Sequence, residues 1–277
     1  MTITIKDPEG IAGMRVAGRL AAELLDYLAS FVKPGVTTNE LDRLAEDYTT
    51  QVLGAISAPL NYAPGGHNPY PKSICTSINH QVCHGIPNDK PLKKGDIINI
   101  DVTVIKNGWH GDSSRMYMVG EVSVAARRLC KLTYEAMWKG IMKVRDGAYL
   151  GDIGHAIQSF AEGQGLSVVR EYCGHGIGQN FHEDPQILHY GKPGTLEQLK
   201  AGMTITIEPM LNVGRKEIKA LGDGWTIVTK DHSLSAQWEH TVLVTATGYE
   251  VLTLSANSPA IPEFVKPTVP AVILSAA

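Results

Sequence analysis

The sequence predicts a mixed α/β (α+β) fold built from two related halves with a site between them. Three observations predict it. First, residues 97–120, IINIDVTVIKNGWHGDSSRMYMVG, hold two strand-like runs around Lys106-Asn107-Gly108. Asn-Gly between such runs is the strongest short-range hairpin signal. Second, a long helical pattern, a Lys/Arg-x-Gly stop and a shorter helical pattern occur twice, at an offset of 112 residues. Third, the second half adds apolar strand-like runs that end on or contain His and Glu residues.

The elements follow in order. Residues 11–32 read as a helix: Ile11, Met14, Leu20, Leu24, Leu28 and Phe31 recur at helical spacing, with Arg15, Arg19, Glu23 and Asp26 between them. Lys33-Pro34-Gly35 stops it. Thr37 stands three residues before Glu40, a capping-box pattern, so a second helix runs to about Leu53. Residues 58–71 are rich in Pro, Gly and Asn and read as a long loop, yet Tyr62, His67 and Tyr70 are unusual in a mere linker. Residues 73–79 form a short strand, and 80–87, HQVCHGIP, a strand end or turn. After the hairpin, Ser123 caps a helix that continues to Val144, where Arg145-Asp146-Gly147 stops it. Residues 151–163 form a further short helix, so that Glu40-Leu41 falls on Asp152-Ile153 and Tyr48 on Phe160. Strands are expected over 166–172, 203–207, 225–230 and 238–245. One domain therefore spans 1–254. The tail over 255–277, rich in Pro, Ser and Ala, is expected to be loosely ordered.

Composition narrows the function. A chain of 277 residues buries about three quarters of the surface its unfolded form exposes. With 43 % hydrophobic and 19 % charged residues it is an ordinary globular sequence. A net charge of −3 leaves no footprint for nucleic acid or an acidic membrane. Four irregularly spaced cysteines make no disulfide framework. The start, MTITIKDPEG, lacks a signal-peptide pattern, and no run is long enough to span a bilayer, so the cytoplasm is the expected compartment.

Chemistry-bearing residues gather on or beside the strands. A two-residue turn at Asn107-Gly108 pairs Lys106 with Trp109, Asp101 with Ser114 and Asp112 with Thr103. Asp101 and Asp112 then share one face as diagonal neighbours, roughly 7–8 Å apart at Cβ. Like charges so placed need a metal, or an Arg such as Arg115, unless both are solvated on an edge hairpin. His175, between glycines in Cys173-Gly174-His175-Gly176, is either poised in a site or a surface-turn residue. Glu208 ends a strand in which Thr204, Thr206 and Glu208 share one face. Glu239 sits inside an apolar strand, where a carboxylate is rarely buried without a partner. Four carboxylates and one imidazole can offset and bridge two divalent ions, and this oxygen-rich set suits Mn, Fe or Co at least as well as Zn.

The ordered set CHGIP at 83–87, IDVTVIKNGWHGDSSRMY at 100–117, GHGIGQNFHEDP at 174–185, TIEPML at 206–211 and WEHTVLVT at 238–245 resembles the type I methionine aminopeptidases. The likeness runs from about Ile11 to Leu254, in the family's order. It implies the pita-bread fold, two pseudo-symmetric halves of antiparallel sheet covered by helices, with a dinuclear metal site between them. It places the metal ligands on Asp101, Asp112, His175, Glu208 and Glu239, and the catalytic histidines on His84 and His182. It implies two divalent ions, Co, Mn, Fe or Zn, and metal-assisted hydrolysis of an N-terminal Met–peptide bond before a small second residue. In that reading Glu208 is both ligand and general base, His182 stabilises the oxyanion and His84 bonds the scissile nitrogen. Tyr70, Cys75, Phe181 and Trp225 would line the Met pocket, with His84 at its edge. The family loop Tyr-x-Gly-aromatic-Pro is replaced here by Gly66-His67-Asn68-Pro69-Tyr70-Pro71, which alters the pocket rim. The expected partners are nascent polypeptide N-termini, at the ribosome, met by a monomer that binds neither nucleic acid nor membrane.

Three other readings compete. An aminopeptidase P or prolidase type uses the same ligands but usually carries a separate N-terminal domain. A non-catalytic binding protein on this fold would have lost ligands. A Cys–His hydrolase could use Cys83 or Cys173. Neighbouring strand residues point to opposite faces, so Cys83–His84 is a poor dyad, and Cys75, Cys83 and Cys173 read better as small packing residues.

Overall fold

The frame of the molecule is a hairpin with a helix laid along one face, and a second copy of that arrangement joined to it edge to edge. A computed structural model describes residues 3–265 of the chain. Four helices, α1 (Pro8–Ala29), α2 (Thr38–Asp47), α3 (Val124–Ile141) and α4 (Leu150–Gly163), cover the sheets. The first-half strands are β1 (Ile56–Ser57), β2 (Cys75–Ile78), β3 (Gln81–Cys83), β4 (Ile97–Lys106) and β5 (Trp109–Met118). The second half adds β6 (Ser167–Val168), β7 (Gly174–Gly176), β8 (Glu183–Ile187), β9 (Thr204–Ile207), β10 (Met210–Asn212), β11 (Ile218–Ala220), β12 (Ile227–Thr229), β13 (Ser235–Gln237), β14 (Glu239–Thr245) and β15 (Gly248–Val251).

The main sheet has nine strands, in the order β1-β4-β5-β14-β9-β7-β8, with β2 also on β4 and β15 on β14. All its pairs are antiparallel. The hairpin register is the one that Asn107-Gly108 dictates: Lys106 pairs with Trp109, Asp101 with Ser114 and Thr103 with Asp112. Both turn residues have positive φ, 51° and 82°, as a type I′ turn requires. The halves meet where Ser114 pairs with Glu239 and Ser113 with His240.

Backbone bonds repeat between the halves. The Gly35 N–H donates to the Leu92 carbonyl and the Leu92 N–H to the Val36 carbonyl, both at 2.8 Å. In the second half, Gly147 donates to Leu199 at 2.9 Å and Leu199 to Ala148 at 2.8 Å. Gly95 and Val119 brace β4 against β5 as Gly202 and Val244 brace β9 against β14. Asp101 and Glu208 each lie six residues beyond those glycines, and so occupy matching places.

Period-two alternation gives the sheet one apolar and one polar face. Ile98, Ile100, Val102 and Val104 pack with Leu24 and Leu28 of α1 and Leu41 of α2. Ile205, Ile207, Val242 and Val244 pack with Leu129, Met137 and Trp138 of α3 and Ile153 of α4. The other face carries Asp101, Thr103, Asp112, Thr206, Glu208 and Glu239, where the two halves converge.

Several boundaries differ from the sequence reading. The first helix starts three residues before Ile11, because Asp7 caps it through the Gly10 N–H at 2.8 Å and Pro8 is preset for the first turn. It ends at Ala29 rather than Val32, as the Ser30 and Phe31 amides turn back to Tyr27 and Leu28. The helix begun at Ser123 likewise stops at Ile141, before Val144. Of 166–172 only Ser167–Val168 is strand. The tail expected to be loose is docked over 255–265. Ser255 and Ser258 bond the Arg115 guanidinium, Tyr134 donates to Pro259, and the Lys139 ammonium sits 3.4 Å from the Phe264 ring centroid. The remainder of the tail lies outside the described residues.

Candidate active site

Five strands or strand ends aim one side chain each into the seam between the halves. Asp101 lies on β4, Asp112 on β5, His175 on β7, Glu208 just beyond β9 and Glu239 at the start of β14. One ligand atom from each of Asp112, His175 and Glu239 lies within 4.8 Å of the others. His175 Nε2 is 3.6 Å from Asp112 Oδ2 and 3.7 Å from Glu208 Oε1. His175 is a buried strand residue rather than a surface-turn one.

The field here is negative and dry. Burial, then the Asp112 and Glu208 charges, holds the Asp101 carboxyl well above the usual range. Glu239 is raised in the same way, by burial first and then by Asp112, Glu208 and Asp101. Glu208 is pushed up to about 7, chiefly by burial. The Arg115 considered from sequence as a neutralising partner faces the other side of the sheet and pairs with Asp26. It follows Ser114, which shares a face with Asp101, so its own side chain must point away. Among the described residues no lysine or arginine pairs with these four carboxylates.

The donor set fits divalent metal. A cation offsets the repulsion that otherwise favours protonation. His175 is oriented for it: Nδ1 lies 2.9 Å from the Gly176 carbonyl, which makes Nδ1 the protonated nitrogen and leaves the Nε2 lone pair facing the carboxylates. The Thr206 hydroxyl accepts the His175 N–H at 2.9 Å and donates to Glu208 Oε1 at 2.8 Å. Thr103 donates to Asp112 Oδ1 at 2.8 Å, and Gln237 to Glu208 Oε2 at 3.2 Å.

His84 and His182 lie beside this cluster. His84 is half-buried, has a φ of +55°, and packs edge-on against Tyr172 and Trp225. Burial pushes its imidazole down to about 4. His182 lies 4.3 Å from His175, centroid to centroid, and stacks on Phe181. Its imidazole is pushed down to about 3, by desolvation first and then by the neighbouring His175, His84 and His110 rings.

Two supporting residues had no sequence signal aimed at this role. The Tyr62 hydroxyl is 2.6 Å from His182 Nδ1, and its own proton is held tightly because burial raises its pKa. His189 is fully buried, is kept neutral by a pKa lowered to about 3, and accepts the Glu208 N–H at 3.1 Å. Tyr62 stood out only as an aromatic residue in a Pro/Gly loop.

Around the histidines lie the residues expected to line a pocket. Tyr70 is buried, with its hydroxyl against the Ile74 and Gly85 carbonyls and its ring edge on Trp225 at 5.1 Å. Cys75 pairs with Asp101 across β2–β4. Phe181 groups with Tyr62, His110 and His182. At the altered rim, His67 packs on Trp225 at 5.4 Å, and the Trp225 indole donates to the Asn68 carbonyl at 3.0 Å. Cys83 packs with Val82, Val169, Met210 and Ile227, and burial raises its thiol well above the usual value, which leaves no thiolate for a Cys–His hydrolase. Cys173 is also raised, to about 11.

Residues 12–246 match the metallopeptidase family M24. The chain belongs to this family. A curated relative, the methionine aminopeptidase of Escherichia coli (strain K12), is 55 % identical over 274 residues, 99 % of this chain and 98 % of that protein. The crystal structure of methionine aminopeptidase from Rickettsia prowazekii superposes with a TM-score of 0.87 at 57 % identity, over 91 % of this chain and all of that one. Prolidase from Pyrococcus furiosus shares the fold alone: TM-score 0.72, 23 % identity, 91 % of this chain but 65 % of that one. The pita-bread architecture expected from the sequence is therefore the fold observed. An M24 metallopeptidase uses divalent metal, and the seam described above is where these residues can hold it.

Proposed function

We propose that the chain removes N-terminal methionine from nascent proteins and peptides, preferentially before a small residue. The observation that carries this reading is the convergence of Asp112, His175, Glu208 and Glu239, with Asp101 beside them, next to two neutral histidines, in a chain that covers 98 % of its Escherichia coli methionine aminopeptidase relative. The non-catalytic alternative needs a departure from the family's ligand pattern, and all five residue types of that pattern stand in the sequence. The X-Pro peptidase alternative draws on structures of which this chain covers about two thirds.

Asp101, Asp112, His175, Glu208 and Glu239 would hold two divalent ions, Co, Mn, Fe or Zn. Bound there, such ions supply Lewis acidity to a peptide carbonyl and lower the pKa of water. The remaining work belongs to side chains. Glu208 takes the proton of the attacking water and passes it to the leaving amine. The Tyr62 hydroxyl, 2.6 Å from His182 Nδ1, orients the ring, and with its proton on Nε2 His182 would offer it to the developing oxyanion. His84, neutral above pH 4, bonds the scissile nitrogen. Tyr70, Cys75, Phe181 and Trp225 shape an apolar pocket suited to a Met side chain.

The reading extends to a monomer in the cytoplasm that meets nascent N-termini at the ribosome. No helix of the described residues is long and apolar enough to cross a membrane. The test is release of Met from Met-Ala-Ser against release of Ala from Ala-Pro-Ser, after chelation and after adding back Mn, Co or Fe. Metal-dependent release of Met alone is expected. Cleavage of the X-Pro peptide instead would move the chain to the aminopeptidase P branch, and chelator-resistant activity would end the metal reading.

A further inference from the structure

Residues 3–7 form a strap that runs from β9 to the start of α1, and one side chain of the strap reaches the loop that carries His182. The Lys6 N–H donates to the Gly202 carbonyl at 2.8 Å, which seats the strap at the head of β9. Lys6 Nζ then meets Glu183 Oε2 at 2.8 Å, with both residues buried. Thr4 donates its hydroxyl to the same oxygen. The other oxygen, Oε1, accepts the Asn180 N–H at 3.2 Å. Glu183 thus closes the loop 178–183 on itself, and its charge is matched from outside the loop. We propose that Lys6 is a positioning residue: its buried ion pair with Glu183 fixes the loop that presents Phe181 and His182 to the site.

The geometry around the pair leaves little freedom. A Cβ on Gly178 would lie 2.6 Å from Glu183 Oε1 and 2.7 Å from Lys6 Cε, so glycine at 178 lets the pair sit against the loop backbone. The Gly178 carbonyl is bound by the His110 N–H at 2.9 Å, which ties the start of the loop to β5. The end of the loop has Glu183, the residue directly after His182. A buried carboxylate stripped of its cation must either protonate or turn to solvent, and turning breaks the Asn180 bond. His182 would then lose its fixed place beside His175, and a misplacement of about 1 Å costs up to about a hundred-fold in rate.

This inference rests on the peptidase reading for its kinetic arm, while amide exchange at Asn180 tests the anchoring without turnover. Lys6→Met is expected to lower kcat on Met-Ala-Ser about ten-fold or more with KM little changed, to leave metal content intact and to speed exchange of the Asn180 amide. In a His182→Ala background the same substitution is expected to cost less than about two-fold, since the two act through one group. Glu183→Gln keeps one acceptor oxygen and sets an NH2 where the other stood, so either Lys6 or Asn180 loses the oxygen it now faces, and the same pattern is expected at smaller scale. It stands in if Lys6→Met fails to fold. The pair Lys6→Met/Glu183→Gln frees that oxygen for Asn180 and is expected to recover most of kcat. Equal losses in the wild-type and His182→Ala backgrounds, unchanged Asn180 exchange, or a fall in metal content that matches the fall in kcat would each overturn the assignment. Absence of Met release by the wild type would instead sink the peptidase reading and leave the exchange result to decide on Lys6.

Discussion

Glu208 has two duties that mutation can separate. Glu208→Gln keeps an oxygen for metal but no basic carboxylate, so kcat on Met-Ala-Ser should fall by about 10²-fold or more. A variant that keeps full turnover with metal bound would remove Glu208 as the base. His182→Ala should cost about 10²–10³-fold in kcat, and Tyr62→Phe, which frees Nδ1, about ten-fold. Protons also compete with metal here. Glu208 is raised to about 7, and Asp101, Glu239 and His175 are raised as well, so each must release a proton that the folded apo site holds more tightly than usual. Metal affinity should therefore rise with pH through about 7 and fall steeply below it, as titration calorimetry at pH 6 and pH 8 would show. The meeting of Asp112, His175, Glu208 and Glu239 at the seam was legible from strand periodicity and the family pattern together, as was the shared face of Thr206 and Glu208. His189 and Tyr62 were not, because nothing local in LHY or in a Pro/Gly loop says which distant atom a ring will meet.

Among the elements, the hairpin was readable to the residue, since Asn107-Gly108 fixes the turn and the turn fixes the register. What presses on it was not. The two surfaces of α1 and the hairpin touch through glycines: a Cβ on Gly111 would lie 2.1 Å from the Ala17 carbonyl, and one on Gly13 would enter the Trp109 ring. Gly111→Ala should therefore force α1 off the sheet and cost about 1–3 kcal/mol or more, read as a lowered denaturant midpoint. A wild-type midpoint would mean that α1 tolerates the shift. Other strands escaped the sequence reading for a related reason. β7 is Gly-His-Gly and β8 contains Pro185, so neither has the β-branched run that marks a strand, and both are held by neighbours rather than by propensity. The Asp7-Pro8 start of α1, by contrast, was present as a cap signal and simply lies upstream of the first apolar repeat.

At the scale of the molecule, the doubled helix pattern was a true trace of the architecture. Thr38 and Leu150, 112 residues apart, open α2 and α4, and Ala29 and Ile141 close α1 and α3 at the same offset. Over 255–265 the tail misled because Pro, Ser and Ala predict disorder by composition, whereas a few polar contacts suffice to dock that stretch. Ser255 bonds both Asp26 and Arg115, and Ser258 bonds Arg115, on the helix side of the sheet. Removal of the chain beyond Leu254 leaves the Arg115–Asp26 pair but strips those hydroxyls from a buried guanidinium, and it uncovers the surface under Phe264. Hydrogen bonds to charged groups contribute about 1.5–3 kcal/mol each, so the truncated protein should lose at least about 2 kcal/mol of stability. Arg115 and Asp101 point to opposite faces of the hairpin, so the folded fraction should keep its kcat on Met-Ala-Ser. A truncated protein with full stability would show that these contacts form without holding the body together, and one with intact stability but reduced kcat would mean that the tail reaches the site from the far side.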